Sequence, residues 1–300
     1  MESALTLEKF LRNLGDEGQP LTYSGLAGLS DMSLTEMSMF EKVWSSVSAA
    51  RKLDVVGRLV EIADANPQMD FCAVFKLAAK DPNDAVCEKA IYGFWEVEDR
   101  SIIPLLLDVL QSSGLLQARA AAATALGKFA SLAQDGKILV KDGQMVQDVL
   151  MVVLRDKWNP IDVRRRALEA VSPFNTPDIR EYVRWAYDSD DVDLQCSSLY
   201  AMGKTQDSVW LPEIIDALEG SSAPVRYEAA SACGELAEED AIPHLTPLLD
   251  DDDIEVQMAA IDAMGKIGGP LAKQGLLHCV HSGDAALKEA AESALEEMEP

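Results

Sequence analysis

The chain has 300 residues and a formal net charge of -25 at neutral pH. So large an excess of carboxylates repels phosphate backbones and anionic headgroups, which excludes nucleic acid and membrane as first-choice partners and leaves a basic protein, or plain solubility, as the reason for the charge. Hydrophobic residues make up 48% and charged residues 26%, a balance that supports a packed fold and excludes disorder throughout.

Taken in chain order, the opening residues lack the basic flank and long apolar core of a secretory signal, and no stretch reaches 18 uninterrupted apolar residues. The five cysteines are odd in number and none forms a CxxC pair, which points to a reducing compartment, the cytoplasm. The segment Leu14-Gly15-Asp16-Glu17-Gly18-Gln19-Pro20 reads as a turn. Leu34 to Trp44 and Arg51 to Ala63 read as amphipathic helices. Residues 1–69 are thereby expected to form a helical cap or degenerate repeats.

From residue 70 to 300 a pattern returns. Val86-Cys87 leads to Trp95, Ala118-Arg119 to Gly127, Val163-Arg164 to Ser172, Leu194-Gln195 to Gly203, Val225-Arg226 to Gly234, Val256-Gln257 to Gly265, and Leu287-Lys288 to Glu296. The closing positions 95, 127, 172, 203, 234, 265 and 296 are spaced by 31 or 32 residues, with one interval of 45. The surplus falls near 131–144, where Gln134-Asp135-Gly136-Lys137 and Lys141-Asp142-Gly143 look like turns and predict a longer connection. Between the blocks lie further apolar helices, Ile102–Leu110, Met145–Leu154, Leu211–Leu218 and Ile242–Leu249, with Pro104, Pro212 and Pro243 near their starts, where a missing amide donor costs least. Asp250 to Asp253 and Ser189-Asp190-Asp191 suit helix caps.

Within a block, Val225, Ala229 and Ala232-Cys233 share one face at helical spacing. Two helices per unit at a fixed period predict an all-α fold, an α-solenoid of stacked antiparallel helix pairs of armadillo type. The Pro-x-Leu first helix, the aspartate-bearing turn and the Val-Arg…Ala…Gly second helix resemble the HEAT-like repeat family, and Val225 to Gly234 is the nearest copy. The repeat type is similar to the short-repeat branch that includes phycobilisome lyase subunits. Leu194-Gln195, Val256-Gln257 and Val86-Cys87 interrupt the arginine series expected of the family.

The resemblance implies that second helices line a concave surface. Its outward positions would be Glu88, Lys89, Tyr92 and Glu96; Ala120, Ala121, Thr124 and Lys128; Arg165, Arg166 and Glu169; and Cys196, Ser197, Tyr200 and Lys204. Tyr227, Glu228, Ser231 and Glu235, then Met258, Ala259, Asp262 and Lys266, would complete it. Tyr92, Arg165, Arg166, Tyr200, Lys204 and Tyr227 are the candidate partner-binding residues, because tyrosine and arginine dominate protein interfaces. Of the tryptophans, Trp95 and Trp210 are expected at packed helix junctions, and Trp158 is the candidate for a contact outside the core.

Chemistry-bearing motifs are weak. His278 and His281 offer two ligands where zinc needs more, and Asp188 to Asp193 lacks the glycine and glutamate of a calcium loop. Cys233 stands where other repeats carry Met202 and Met264, the place of a buried thiol. With three histidines, all beyond residue 240, no catalytic constellation suggests itself, and neither metal nor cofactor is expected. The sequence therefore reads as a non-catalytic interaction scaffold. The alternatives are an accessory subunit of a lyase or cofactor-handling enzyme and a structural module of a larger assembly.

Overall fold

The computed structural model of the chain describes residues 2–112, 114–281 and 284–298, with side chains from residue 7 onward. Among them every regular element is helical, and the chain is a solenoid of antiparallel helix pairs. It divides into two compact units, Met1–Ala167 and Leu168–Pro300.

The first unit contains α1 (Glu2–Asn13), α2 (Tyr23–Ala27), α3 (Leu34–Trp44), α4 (Ala49–Ala65), α5 (Cys72–Ala78), α6 (Asp84–Tyr92), α7 (Ile103–Gln111), α8 (Leu116–Gln134) and α9 (Val140–Arg155). Helix α10 (Ile161–Val171) runs across the division. The helix starts are written in the sequence. Ser33 caps α3 in a reciprocal box with Glu36, and Ser48 and Asn83 accept from the third amide of α4 and α6. Helix α8 has no cap of its own; instead the Asp84 carboxylate of α6 accepts from the amides of Gln117 (3.1 Å) and Ala118 (2.8 Å). One repeat thus closes the orphan donors of the next. The second helices of successive pairs, α4, α6 and α8, pack in series.

The second unit contains α11 (Pro177–Tyr187), α12 (Val192–Lys204), α13 (Leu211–Leu218), α14 (Ala223–Leu236), α15 (Ile242–Leu245), α16 (Ile254–Ile267), α17 (Gly269–Val280) and α18 (Ala285–Glu297). Here α12, α14, α16 and α18 stack in series. The repeated glycine explains how close they come. A Cβ on Gly234 would lie 3.0 Å from Cα of Ala263, and one on Gly203 would lie 3.0 Å from Cα of Ala232. Glycine against alanine lets the helix backbones approach one another. Val225, Ala229, Ala232 and Cys233 are buried together, as their spacing predicts.

The arginines of the Val-Arg pairs are structural. Arg119 donates to the Leu110 carbonyl (2.9 Å), Arg164 to Leu154 (3.1 Å) and Arg226 to Gly220 (2.9 Å). Arg119 and Arg164 satisfy carbonyls in the last turn of the preceding helix, where cations also suit the helix dipole, and Arg226 satisfies one just past the end of α13. Arg226 additionally grips Asp251 through two bonds of 2.7 Å. Where the series is interrupted, Gln257 donates to the Asp251 carbonyl. Arg51 does comparable work near the N-terminus, donating to the carbonyls of Leu14 (3.0 Å) and Gln19 (2.7 Å).

Three expectations are corrected. The segment 131–144 is mostly helix: α8 runs on to Gln134 and α9 starts at Val140, leaving a five-residue link, 135–139, with Gly136 in the left-handed region (φ 69°). Lys141, Asp142 and Gly143 lie inside α9, because Gly143 packs against Ala133 so tightly that a Cβ would sit 2.6 Å from the alanine Cβ. Ile242–Leu249 is not one α-helix; α15 gives way to a 3₁₀ stretch, Thr246–Asp250, at Pro247, which cannot supply an α-helical amide. Ala121, Ser197 and Ala259, expected to face outward, are buried, because neighbouring second helices pack closely enough to cover them.

Candidate functional site

Helix α6 is the shortest of the three stacked second helices in the first unit, and its ending shapes the surface there. The repeats that close at 127, 203, 234 and 265 have glycine at that position; this one has Trp95. At Gly203 and Gly234 even a Cβ would meet the next helix at 3.0 Å, which leaves no room for an indole in that register; here α6 stops at Tyr92 and the chain turns through Gly93 and Phe94. Gly93 is required because a Cβ there would fall 2.6 Å from the Phe75 ring. Lys128 of α8 fixes the turn by donating to the Trp95 and Phe94 carbonyls. Burial lowers the Lys128 pKa, with Glu98 and Glu96 opposing.

The result is a groove of about 840 Å³ within the first unit. Val60, Ala63, Phe71 and Phe75 give it apolar lining, and Tyr92 and Trp95 add exposed aromatic surface. Trp95 is 69% exposed and Tyr92 50%. Asp64, Asp70, Glu96 and Asp99 also line the groove, and no lysine, arginine or histidine does so among the described residues. Asp99 is held below the ordinary carboxylate range, first by the Ser101 hydroxyl, and pairs with Lys76 at 3.4 Å. The Cys72 thiol, also in the lining, is pushed up by burial.

The six sequence-predicted residues fall in two places. In the first unit, Tyr92 bonds Glu88 (3.4 Å); burial and then that carboxylate raise its pKa, and the Arg166 guanidinium pulls it back. Tyr92 and Arg166 are thus electrostatic neighbours, whereas Arg165 turns to Asp162 on its own helix (3.0 Å). In the second unit, Lys204 lies over the Tyr200 ring (5.6 Å to the centroid) and pairs with Glu235 (2.8 Å). Glu235 also meets Lys266 (3.5 Å), so burial, which would raise its pKa, is outweighed by the two lysines and the net shift is down. Tyr227 is exposed over a shallow depression with Ala223, Pro224, Asp253 and Glu255.

Trp95 is the correction with most consequence, since it is open to solvent rather than packed at a junction. A tryptophan standing at a glycine position of the repeat was the signal. Trp210 is fully buried, and Trp158 is 86% exposed. Asp191, within the acidic run, caps α12 by accepting from the Leu194 amide (3.1 Å). The described residues gather no group of three or more His, Cys, Asp or Glu at metal-holding distance. No described helix is long and apolar enough to cross a membrane.

Residues 211–296 match the HEAT-repeat family model. A segment of 111 residues is 28% identical to human deoxyhypusine hydroxylase, covering 36% of this chain and 37% of that protein. Among solved structures, importin β aligns over 99% of this chain and 48% of its own, with a TM-score of 0.52 at 13% identity. The CpcE–CpcF phycocyanin lyase complex of Nostoc sp. PCC7120 aligns over 65% of this chain and 76% of that one, with a TM-score of 0.46 at 23% identity.

Proposed function

We propose that this HEAT-repeat-type solenoid is a non-catalytic protein–protein interaction scaffold, and that the groove beside Trp95 is its docking surface. The single observation that carries the reading is the exposure of Trp95 and Tyr92 along a concavity with an apolar lining. Aromatic side chains with few rotatable bonds contribute most of the binding energy at protein interfaces when a partner desolvates them. The partner is another protein, and the acidic balance favours a basic one. The cysteine pattern supports a cytoplasmic setting.

Quantitative affinity capture from native lysate, comparing wild type with a folded Tyr92→Ala, Trp95→Ala variant, tests the placement. Proteins enriched by wild type and lost from the variant support it. An identical set on both baits removes the groove from the account, and a Tyr200→Ala, Tyr227→Ala variant then tests the second unit. A different reading is an accessory subunit of an enzyme; an activity that arises only with a second subunit would mark it.

A further inference from the structure

The groove combines two features that are seldom neighbours on a surface. Its exposed aromatics, Trp95 and Tyr92, invite desolvation, and its charged lining is of one sign only: Asp64, Asp70, Glu96 and Asp99. Asp64 and Glu96 make no hydrogen bond or ion pair among the described residues. The cations beside the groove are already engaged: Lys76 with Asp99 and Ser101, Lys128 with the carbonyls of Trp95 and Phe94, and Arg166, the electrostatic neighbour of Tyr92, with a partner of its own. An apolar segment laid here would bury carboxylates without compensation, which is costly. An acidic one would be repelled. A segment bearing arginine or lysine meets both demands, because its aliphatic stem covers the aromatic rings, its cation sits over their faces and its charge answers the carboxylates.

We infer that the groove of the first unit receives an extended, basic segment of a partner protein, with an arginine or lysine side chain seated against Trp95 and Tyr92 and neutralised by the Asp64 and Glu96 carboxylates. This rests on the docking role proposed above and adds the chemistry of the partner. The groove's volume of about 840 Å³ is of the size that holds a few side chains rather than a folded domain. With a net charge of -25 on the whole chain, a basic segment is also drawn in from a distance. Long-range attraction alone would not choose this groove; the aromatic pair and the Asp64 and Glu96 carboxylates beside it do.

The test uses the full chain and three fluorescein-labelled decapeptides in which Leu alternates with Arg, Gln or Glu, followed by fluorescence anisotropy at 0.15 M salt. The Arg–Leu peptide is expected to bind, the Gln–Leu peptide at least about tenfold more weakly, and the Glu–Leu peptide not at all. Trp95→Ala changes no charge, yet is expected to weaken the Arg–Leu peptide by roughly tenfold. Asp64→Asn with Glu96→Gln is expected to do at least as much, whereas Glu289→Gln with Glu292→Gln, which removes two exposed carboxylates from α18, leaves binding within about twofold. Protection of Cys72 from alkylation by the bound peptide supplies a second readout, since that thiol lines the groove. If Gln–Leu binds as well as Arg–Leu and both are lost in Trp95→Ala, the groove docks peptides but the basic partner is wrong. If Arg–Leu binding ignores Trp95→Ala, or falls equally with the α18 pair, the peptide follows bulk charge and both the inference and the groove placement are overturned. If no peptide binds, or the Arg–Leu peptide leaves Cys72 unprotected, the inference falls.

Discussion

Two tryptophans show how far apart equivalent residue types can stand in one chain. Trp210 is fully buried where α13 begins, and Trp95 is 69% exposed after α6 ends. Trp210→Ala is expected to cost about 3–5 kcal/mol, the range for emptying a buried aromatic site, whereas Trp95→Ala should stay within about 0.5 kcal/mol. Urea denaturation of the two variants measures the contrast; equal losses would mean that Trp95 is a core residue after all. The thiols divide in the same way. Burial pushes Cys233 up to about 12, and burial aided by Asp84, Asp81 and Glu88 does the same for Cys87. Cys72 is half-buried in the groove lining. Iodoacetamide at pH 8 is therefore expected to modify Cys72 well before Cys87 or Cys233 in the native protein, read peptide by peptide by mass spectrometry. The spacing of Cys233 among small apolar residues made its burial legible. The exposure of Trp95 is not legible from residue type, since tryptophan is usually packed; its register against four glycines is the signal that carries it.

At the scale of the element, periodicity carried the reading. The helix Leu34–Trp44, the prolines at the starts of α7, α13 and α15, and the buried face of α14 were all visible in the spacing of apolar residues and caps. The link after α8 was not, because Lys141-Asp142-Gly143 has the composition of a turn while Gly143 serves a close helix contact. Gly143→Ala sets two effects against each other. Helix propensity favours alanine by about 1 kcal/mol, but a Cβ 2.6 Å from the Ala133 Cβ forces α8 and α9 apart at about 1–3 kcal/mol. The clash is with a short side chain on a helix and has no easy relief, so net destabilisation is expected by thermal denaturation; a gain in stability would show that the two helices separate freely. The Arg226–Asp251 pair adds a pH signature. The guanidinium, hydrogen-bonded to Asp251, holds that carboxyl below its ordinary 3.8. Its contribution is therefore complete above pH 3.8 and is lost as pH falls through the lower folded value. Asp251→Asn is expected to lose about 1–3 kcal/mol at pH 7, with the difference from wild type shrinking below about pH 4. A difference that persists unchanged at pH 3 would assign the loss to something other than this ion pair.

For the whole molecule, the fold was far more legible than the use to which it is put. A repeat declares itself because each unit buries its apolar face on the next, and the same requirement is met at a period of 31 residues over and over. A docking surface obeys no such rule. The surface proposed for docking lies where a repeat departs from the pattern, at Trp95, and a departure looks like noise until the neighbouring helices show that the side chain is exposed. That is also why the sequence placed candidate residues on a regular strip, from Tyr92 to Tyr227, while Lys204 proves to be committed to Glu235 and Arg165 to Asp162. The central claim, that a protein partner docks beside Trp95, is tested most directly by placing a photo-reactive benzoylphenylalanine at position 95 in living cells, with the exposed Leu271 position as control. Irradiation is expected to yield a discrete protein adduct from position 95 that position 271 does not give. No adduct at position 95, or the same adducts from both positions, would contradict the account.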